Sequence, residues 1–174
     1  AGKSTLAAQL QARGYEILTE DIGIVEINEQ QQVIARPGIP YFRLWQDSLQ
    51  HLDIDPGEHP RVWQNRTKHH VPMQQSGREQ PLELERIYLL EDDDTGQLQF
   101  NNMKGFEAVQ ALISAVPFNV LQHSAELYQA FFEKSIYLTN QLKCFRLQRP
   151  RDFDRSAELL DALEQHIFEH QENR

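Results

Sequence analysis

The chain has 174 residues, 40% of them hydrophobic, and a formal net charge of −9. This length suits one domain with its own core, and the apolar fraction excludes wholesale disorder. The acidic charge excludes a nucleic-acid backbone as the main partner, because duplex binding needs a clustered basic face.

Cysteine usage and apolar runs indicate where the protein works. Cys144 is the single cysteine, so it has no disulfide partner, which fits a reducing compartment and a place in the core. No apolar run approaches the ~18 residues that a membrane-spanning helix needs. The sequence therefore predicts a cytoplasmic protein with no membrane partner.

The first third of the chain begins with a helix, for which Gly14 is a typical C-terminal stop. A strand follows and ends at two acidic residues. The patterns predict strands at residues 15–19, 23–27 and 32–35, a loop at 36–40 and a short helix at 47–52.

The middle of the chain is polar and irregular between residues 59 and 81, which predicts a mobile flap around one strand near 68–73. Residues 82–91 predict a single strand, and the acidic run that follows predicts a solvated hairpin turn rather than a calcium loop. Residues 104–174 read as mainly helical. The predicted helices span 106–116, 123–142 and 156–170, with an edge strand at 143–147.

The opening residues Ala1-Gly2-Lys3-Ser4-Thr5 match the second half of the phosphate-loop pattern G-x-x-x-x-G-K-[ST]. Gly2 lets the backbone approach phosphate oxygens, Lys3 supplies a charge to the terminal phosphates, and Ser4 offers a hydroxyl to Mg²⁺. The strand before the loop and the motif's first glycine, four residues before Ala1, are expected outside this chain. The alternative is an ordinary helix start capped by Ser4 or Thr5.

The second chemical feature is the pair Glu20-Asp21. If the strand before it is parallel to the strand that feeds the loop, both acids point toward the phosphates. One carboxylate can then bind Mg²⁺, and the other can accept the proton of an attacking hydroxyl. The alternative is a solvated acidic turn.

The order of phosphate loop, helix, Gly14-Tyr15, strand and paired acids resembles the catalytic domain of HPr kinase/phosphorylase. Residues 37–52 and 81–91 are more similar to a branch of HPr-kinase-like proteins found with peptide-modifying enzymes, including lasso-peptide kinases. The resemblance covers residues 1–100 well and the helical tail loosely. It implies one α/β P-loop domain over 1–174, related to the ATP-dependent phosphoenolpyruvate carboxykinases, with a mixed sheet, packed helices and a helical C-terminal part.

The resemblance implies ATP and Mg²⁺ as cofactors and a serine on a peptide or small protein as the phosphate acceptor. By position, Ala1, Gly2, Lys3, Ser4 and Thr5 would bind the nucleotide. Ser4 and Asp21 would hold Mg²⁺, and Lys3, Glu20 and Asp21 would be catalytic, with either acid as the base. The family pair is usually two aspartates, and the signature by which true HPr kinases bind HPr is missing. An HPr-kinase-like enzyme is therefore favoured over an HPr kinase.

A second cation on the transferring phosphoryl group would stabilise the charge that builds up in the transition state. Lys68 is the first candidate for this phosphate or acceptor contact and Arg86 the second; the alternative for each is a solvated surface charge. Two other functions stay open: a small-metabolite kinase, and a nucleotide-dependent binding module without turnover. Relatives often assemble, so a homo-oligomer formed through the helical tail is also an expectation.

Overall fold

The computed structural model describes residues 2–62, 67–74, 80–116 and 124–169. The chain divides into two compact units. Unit 1 comprises residues 1–26, 34–82 and 152–174, and unit 2 comprises residues 27–33 and 83–151. Helices and several small sheets occur together, which confirms the α/β class. The finer P-loop fold and the single domain stay predictions, and the predicted mobile flap at 59–81 lies partly outside the described residues, at 63–66 and 75–79.

The described helices are α1 (Lys3–Ala12), α2 (Gln46–His51), α3 (Phe106–Ala115), α4 (Ala125–Gln141) and α5 (Ser156–Glu169), with a 3₁₀ turn at Pro56–Glu58. The described strands are β1 (Ile24–Ile27), β2 (Val33–Arg36), β3 (Tyr41–Trp45), β4 (Lys68–Pro72), β5 (Leu82–Glu83), β6 (Arg86–Asp92), β7 (Gln99–Met103) and β8 (Lys143–Arg149). The strand orders are β1-β2-β5, β3-β4 and β6-β8-β7. Within the described ranges, no helix has the length and apolarity that a bilayer crossing needs.

Helix α1 ends where the sequence predicts. Gly14 has a φ of 95°, a left-handed conformation that glycine adopts without a steric penalty. The Gly14 N–H donates to the Gln11 carbonyl at 2.9 Å, and the Tyr15 N–H donates to the Leu10 carbonyl at 3.1 Å. This pair of bonds is the Schellman motif, which satisfies the last carbonyls of the helix.

The core of unit 1 lies on one face of the antiparallel pair β3-β4. Phe42, Leu44 and Val71 alternate with outward-facing residues and pack with Ala8 of α1 and Leu49 of α2. Phe42, Leu44 and Leu49 are each at most 2% exposed. The part of residues 59–81 that forms β4 is therefore structural, because it supplies half of this sheet.

In unit 2, β8 is central rather than an edge strand. It pairs parallel with β6 on one side and antiparallel with β7 on the other. Leu147 on β8 is fully buried, as expected for a strand with neighbours on both sides. The hairpin prediction is also wrong, because β8 lies between the two strands that the acidic turn joins.

Two further strand predictions are wrong. Residues 82–91 form two strands, because the chain changes partners: the Leu84 N–H donates to the Val33 carbonyl, and the Glu85 carbonyl accepts from the Lys143 N–H. Residues 15–19 form no ladder with any described strand. Strand formation depends on a neighbour, and a local pattern cannot supply one.

Candidate functional site

Gly2 and the first turn of α1 form the candidate anion-binding part of the site. Gly2 precedes the helix with a φ of 86°, and no side chain caps the first turn among the described residues. The first turn also contains no acidic residue. Its amide N–H groups and the positive end of the helix dipole therefore suit an anion. Lys3 is exposed at the first helical position, and Ala1 lies outside the described residues.

Ser4 and Glu20 lie in contact, although the predicted strand at residues 15–19 that would bring the acids to this place does not form. The Ser4 hydroxyl donates a hydrogen bond to Oε1 of Glu20, which is sixteen residues further along the chain. The Glu20 side chain is only 6% exposed, so its carboxylate is held against the start of the helix. Next to it, the hydroxyls of Thr5 and the buried Ser48 lie 3.0 Å apart, which attaches α1 to α2.

Arg43 contacts both acids of the pair, and the site residues predicted from the sequence do not include it. Its Nη2 forms a direct ion pair with Oδ2 of Asp21, and its Nε lies 3.6 Å from Oε2 of Glu20. One guanidinium on the neighbouring strand β3 thus contacts both carboxylates and offsets about half of their charge. The sequence signal that indicates an outward-facing Arg43 is the alternation of apolar and polar residues along β3. Phe42 and Leu44 point inward, so the residue between them points outward.

The turn that carries the acids is fixed by local contacts. Asp21 has a φ of 63°, a left-handed conformation that is uncommon for a residue other than glycine. The Thr19 hydroxyl donates to the Ile22 carbonyl at 3.0 Å, and the Gly38 N–H donates to the Leu18 carbonyl at 3.1 Å. A Cβ at Gly38 would lie 2.7 Å from Cβ of Thr19, so only glycine fits there.

The two predicted cations have different positions. Lys68 lies on β4 in unit 1, with its Nζ 4.8 Å from the centre of the Trp45 ring. Arg86 lies on β6 in unit 2, where its side chain is 9% exposed and pairs with Glu85 at 3.5 Å. Unit 1 therefore brings together Ser4, Glu20, Asp21 and Arg43, and Arg86 is not among the residues of that unit.

The sequence predicts Mg²⁺ at this site, bound together with a nucleotide. Among the described residues, no three His, Cys, Asp or Glu side chains form a metal-binding group. Mg²⁺ that is bound with a nucleotide needs fewer protein ligands, since phosphate oxygens and waters complete its coordination beside one or two protein oxygens. The sequence predicts Ser4 and Asp21 for this role, whereas in the structure the Ser4 hydroxyl contacts Glu20 and Asp21 contacts Arg43.

Comparisons with known proteins place the chain in no family. No protein-family model matches it, and neither a curated protein nor a solved structure gives a match. The class that fold and site define is therefore an α/β protein in which a helix start carrying Gly-Lys-Ser-Thr contacts an acid pair that is held by one arginine. The resemblance to HPr-kinase-like proteins stays a hypothesis.

Proposed function

We propose that this protein is an ATP- and Mg²⁺-dependent kinase that phosphorylates a serine hydroxyl on a peptide or small protein. The observation that carries the proposal is the hydrogen bond from Ser4 to Glu20. It joins the Ser4 hydroxyl, in the first turn of α1, to Glu20, the first of the two adjacent acids. Phosphoryl transfer needs these groups together, because catalysis there is positioning plus charge stabilisation.

Each residue has a role in this proposal. The first amides of α1 and the Lys3 ammonium bind the phosphates of ATP. Ser4 and Glu20 hold Mg²⁺, which neutralises charge on the β- and γ-phosphates when bound. Glu20 is preferred over Asp21 for the metal because its carboxylate is the one that contacts Ser4.

Asp21 is then the base. Its side chain is 50% exposed, so an acceptor hydroxyl can reach it, and Arg43 fixes its orientation. The serine oxygen attacks the γ-phosphorus, the bond from phosphorus to the bridging oxygen breaks, and ADP leaves. The serine proton passes to the carboxylate of Asp21. Arg43 is a positioning residue, since its contacts are with the two acids.

The test is phosphoryl transfer from γ-labelled ATP with Mg²⁺, using the full-length protein. The acceptors are serine-bearing peptides encoded beside this gene, and an HPr protein. Label on a peptide serine that disappears in Lys3→Ala would support the proposal. Label on a sugar or nucleoside alone would replace it with a small-metabolite kinase. Tight ATP binding without transfer would replace it with a nucleotide-dependent binding module.

The proposed setting is the cytoplasm, where ATP is available and Cys144 stays reduced. A homo-oligomer is also proposed, because large apolar side chains are exposed on α4, among them Leu127, Tyr128 and Ile136. Light scattering at several protein concentrations tests it. A monomer at all concentrations would exclude this part of the proposal.

A further inference from the structure

The outward-facing side of the β3-β4 pair has an unusual composition. We call it the outer face, and define it as Tyr41, Arg43, Trp45, Lys68 and His70. Strand register puts these residues side by side, since Arg43 lies opposite His70 and Trp45 lies opposite Lys68. Residues directly opposite in an antiparallel pair share one face of the sheet. All five belong to unit 1.

Aromatic surface on the outer face is accessible. Tyr41 is 43% exposed and Trp45 is 45% exposed, whereas their strand neighbours Phe42 and Leu44 are buried. The Tyr41 and His70 rings meet edge to face at 6.1 Å, and the Lys68 ammonium lies over the Trp45 ring. Exposed aromatic side chains beside cationic ones are typical of binding surfaces.

The outer face carries two cationic side chains, Arg43 and Lys68, and only Lys68 is available to an acidic partner. The protein has a net charge of −9, so most of its surface repels an acidic partner. Arg43 is neutralised by Asp21 and Glu20. Among the ion pairs of the described residues none includes Lys68, whose contact is with an aromatic ring that leaves the ammonium able to bind a carboxylate.

We propose that the outer face binds the phosphate acceptor as an extended peptide with an acidic residue close to the target serine. The proposal rests on the proposed function, because Arg43 joins the face to the base Asp21. A serine at Asp21 would lie beside Arg43. The acidic side chain would pair with Lys68, and the peptide backbone and apolar groups would pack on Trp45.

Strand geometry sets the spacing. Arg43 and Trp45 are two residues apart on β3, which is about 7 Å at ~3.3 Å per residue. An extended peptide has the same rise, so the acidic residue should be two positions from the serine. An acidic residue two positions from the serine in one direction of the peptide lies at the Trp45–Lys68 end. Two positions in the other direction, it lies toward Tyr41. A preference for one side therefore reports the direction of the bound peptide.

The experiment measures peptide binding without ATP, so that it does not depend on catalysis. The probes are ten-residue peptides with one serine and Glu, Gln or Lys two positions before or after it. Trp45 fluorescence reports binding in Trp63→Phe protein, where it is the single tryptophan, and fluorescence anisotropy of labelled peptides reports it independently. The protein is unchanged across the peptide series, so misfolding cannot produce the effect.

The expected result is that Glu at one of the two positions binds about fivefold more tightly than Gln, the size of one exposed charge pair. Lys68→Glu should reverse the order, favouring the Lys peptide over the Glu peptide by about tenfold. Equal binding of all peptides, or none at millimolar concentration, would overturn the inference. So would quenching of Trp45 by ATP alone, because the face would then bind nucleotide.

The kinase proposal and the docking proposal can each be overturned while the other stands. Charge-dependent binding without phosphoryl transfer would keep the docking surface and overturn the kinase. Phosphoryl transfer to peptides with no dependence on the acidic position would keep the kinase and overturn the docking surface. Circular dichroism of Lys68→Glu checks that the variant is folded.

Discussion

Arg43→Gln tests whether one guanidinium holds the acid pair. The Arg43 side chain is 36% exposed, and its Nε lies 3.6 Å from a Glu20 carboxylate that is 6% exposed. At an effective dielectric constant of ~20, Coulomb attraction at that distance is about 4 to 5 kcal/mol. Solvent access to the guanidinium and the cost of desolvation reduce it, so we expect a net loss of roughly 2 kcal/mol.

The assay is urea and thermal unfolding at pH 7, without divalent cations. For a chain of this length, about 2 kcal/mol lowers Tm by roughly 4 to 8 °C. The matched control is Arg36→Gln, which removes an ion pair with Glu26 of 2.7 Å. Those side chains are 49% and 40% exposed, so the loss should stay below about 1 kcal/mol despite the shorter distance.

Mg²⁺ should raise the free energy of unfolding of Arg43→Gln more than that of the wild type, because the variant keeps two adjacent carboxylates without the guanidinium. For a site with a Kd of about 1 mM, 10 mM Mg²⁺ contributes about 1.4 kcal/mol. Equal destabilisation by the two arginine variants, or no Mg²⁺ response specific to Arg43→Gln, would refute the reasoning that Arg43 stabilises this acid pair.

Three further predictions address the site and the core. Lys3→Ala and Asp21→Asn should each abolish phosphoryl transfer while leaving circular dichroism unchanged, since both side chains are largely exposed; turnover within a few-fold of wild type would contradict the assignment. Gly38→Ala should cost about 1 to 3 kcal/mol in urea unfolding, because its Cβ meets the Thr19 side chain, and Thr19→Ala in the same protein should recover part of that loss. Burial raises the pKa of the Cys144 thiol, so its alkylation at pH 8 should be slow in the native protein and fast in denaturant; equal rates would contradict the buried position.

Local sequence patterns predicted the helices well. The end of α1 at Gly14 depends on one residue's backbone freedom, and α4 begins after Ser124, whose hydroxyl accepts from the Leu127 N–H. Strands were predicted less well because pairing is nonlocal. Nothing within residues 143–149 reveals that β6 and β7 lie on either side of them.

The candidate site also has a part that local sequence predicts and a part that depends on nonlocal structure. A motif and the order of elements assign Ser4 and the Glu20-Asp21 pair to one candidate site, but through a strand at residues 15–19 that does not form, so the contact between Ser4 and Glu20 comes from the turn and not from a sheet. Which acid contacts Ser4 depends on the backbone of the turn, where Asp21 adopts a positive φ. Arg43 could not be assigned from spacing, since β3 reaches the acids only in the folded chain.

Transfer of the γ-phosphate from labelled ATP to a serine peptide tests the central claim most directly. The reaction contains Mg²⁺ and the full-length protein, and the control is Asp21→Asn, which keeps the helix start and Ser4. The account predicts label on the peptide serine with wild type and none with the variant. Equal labelling by both proteins, or no labelling of any acceptor while ATP is bound, would contradict it.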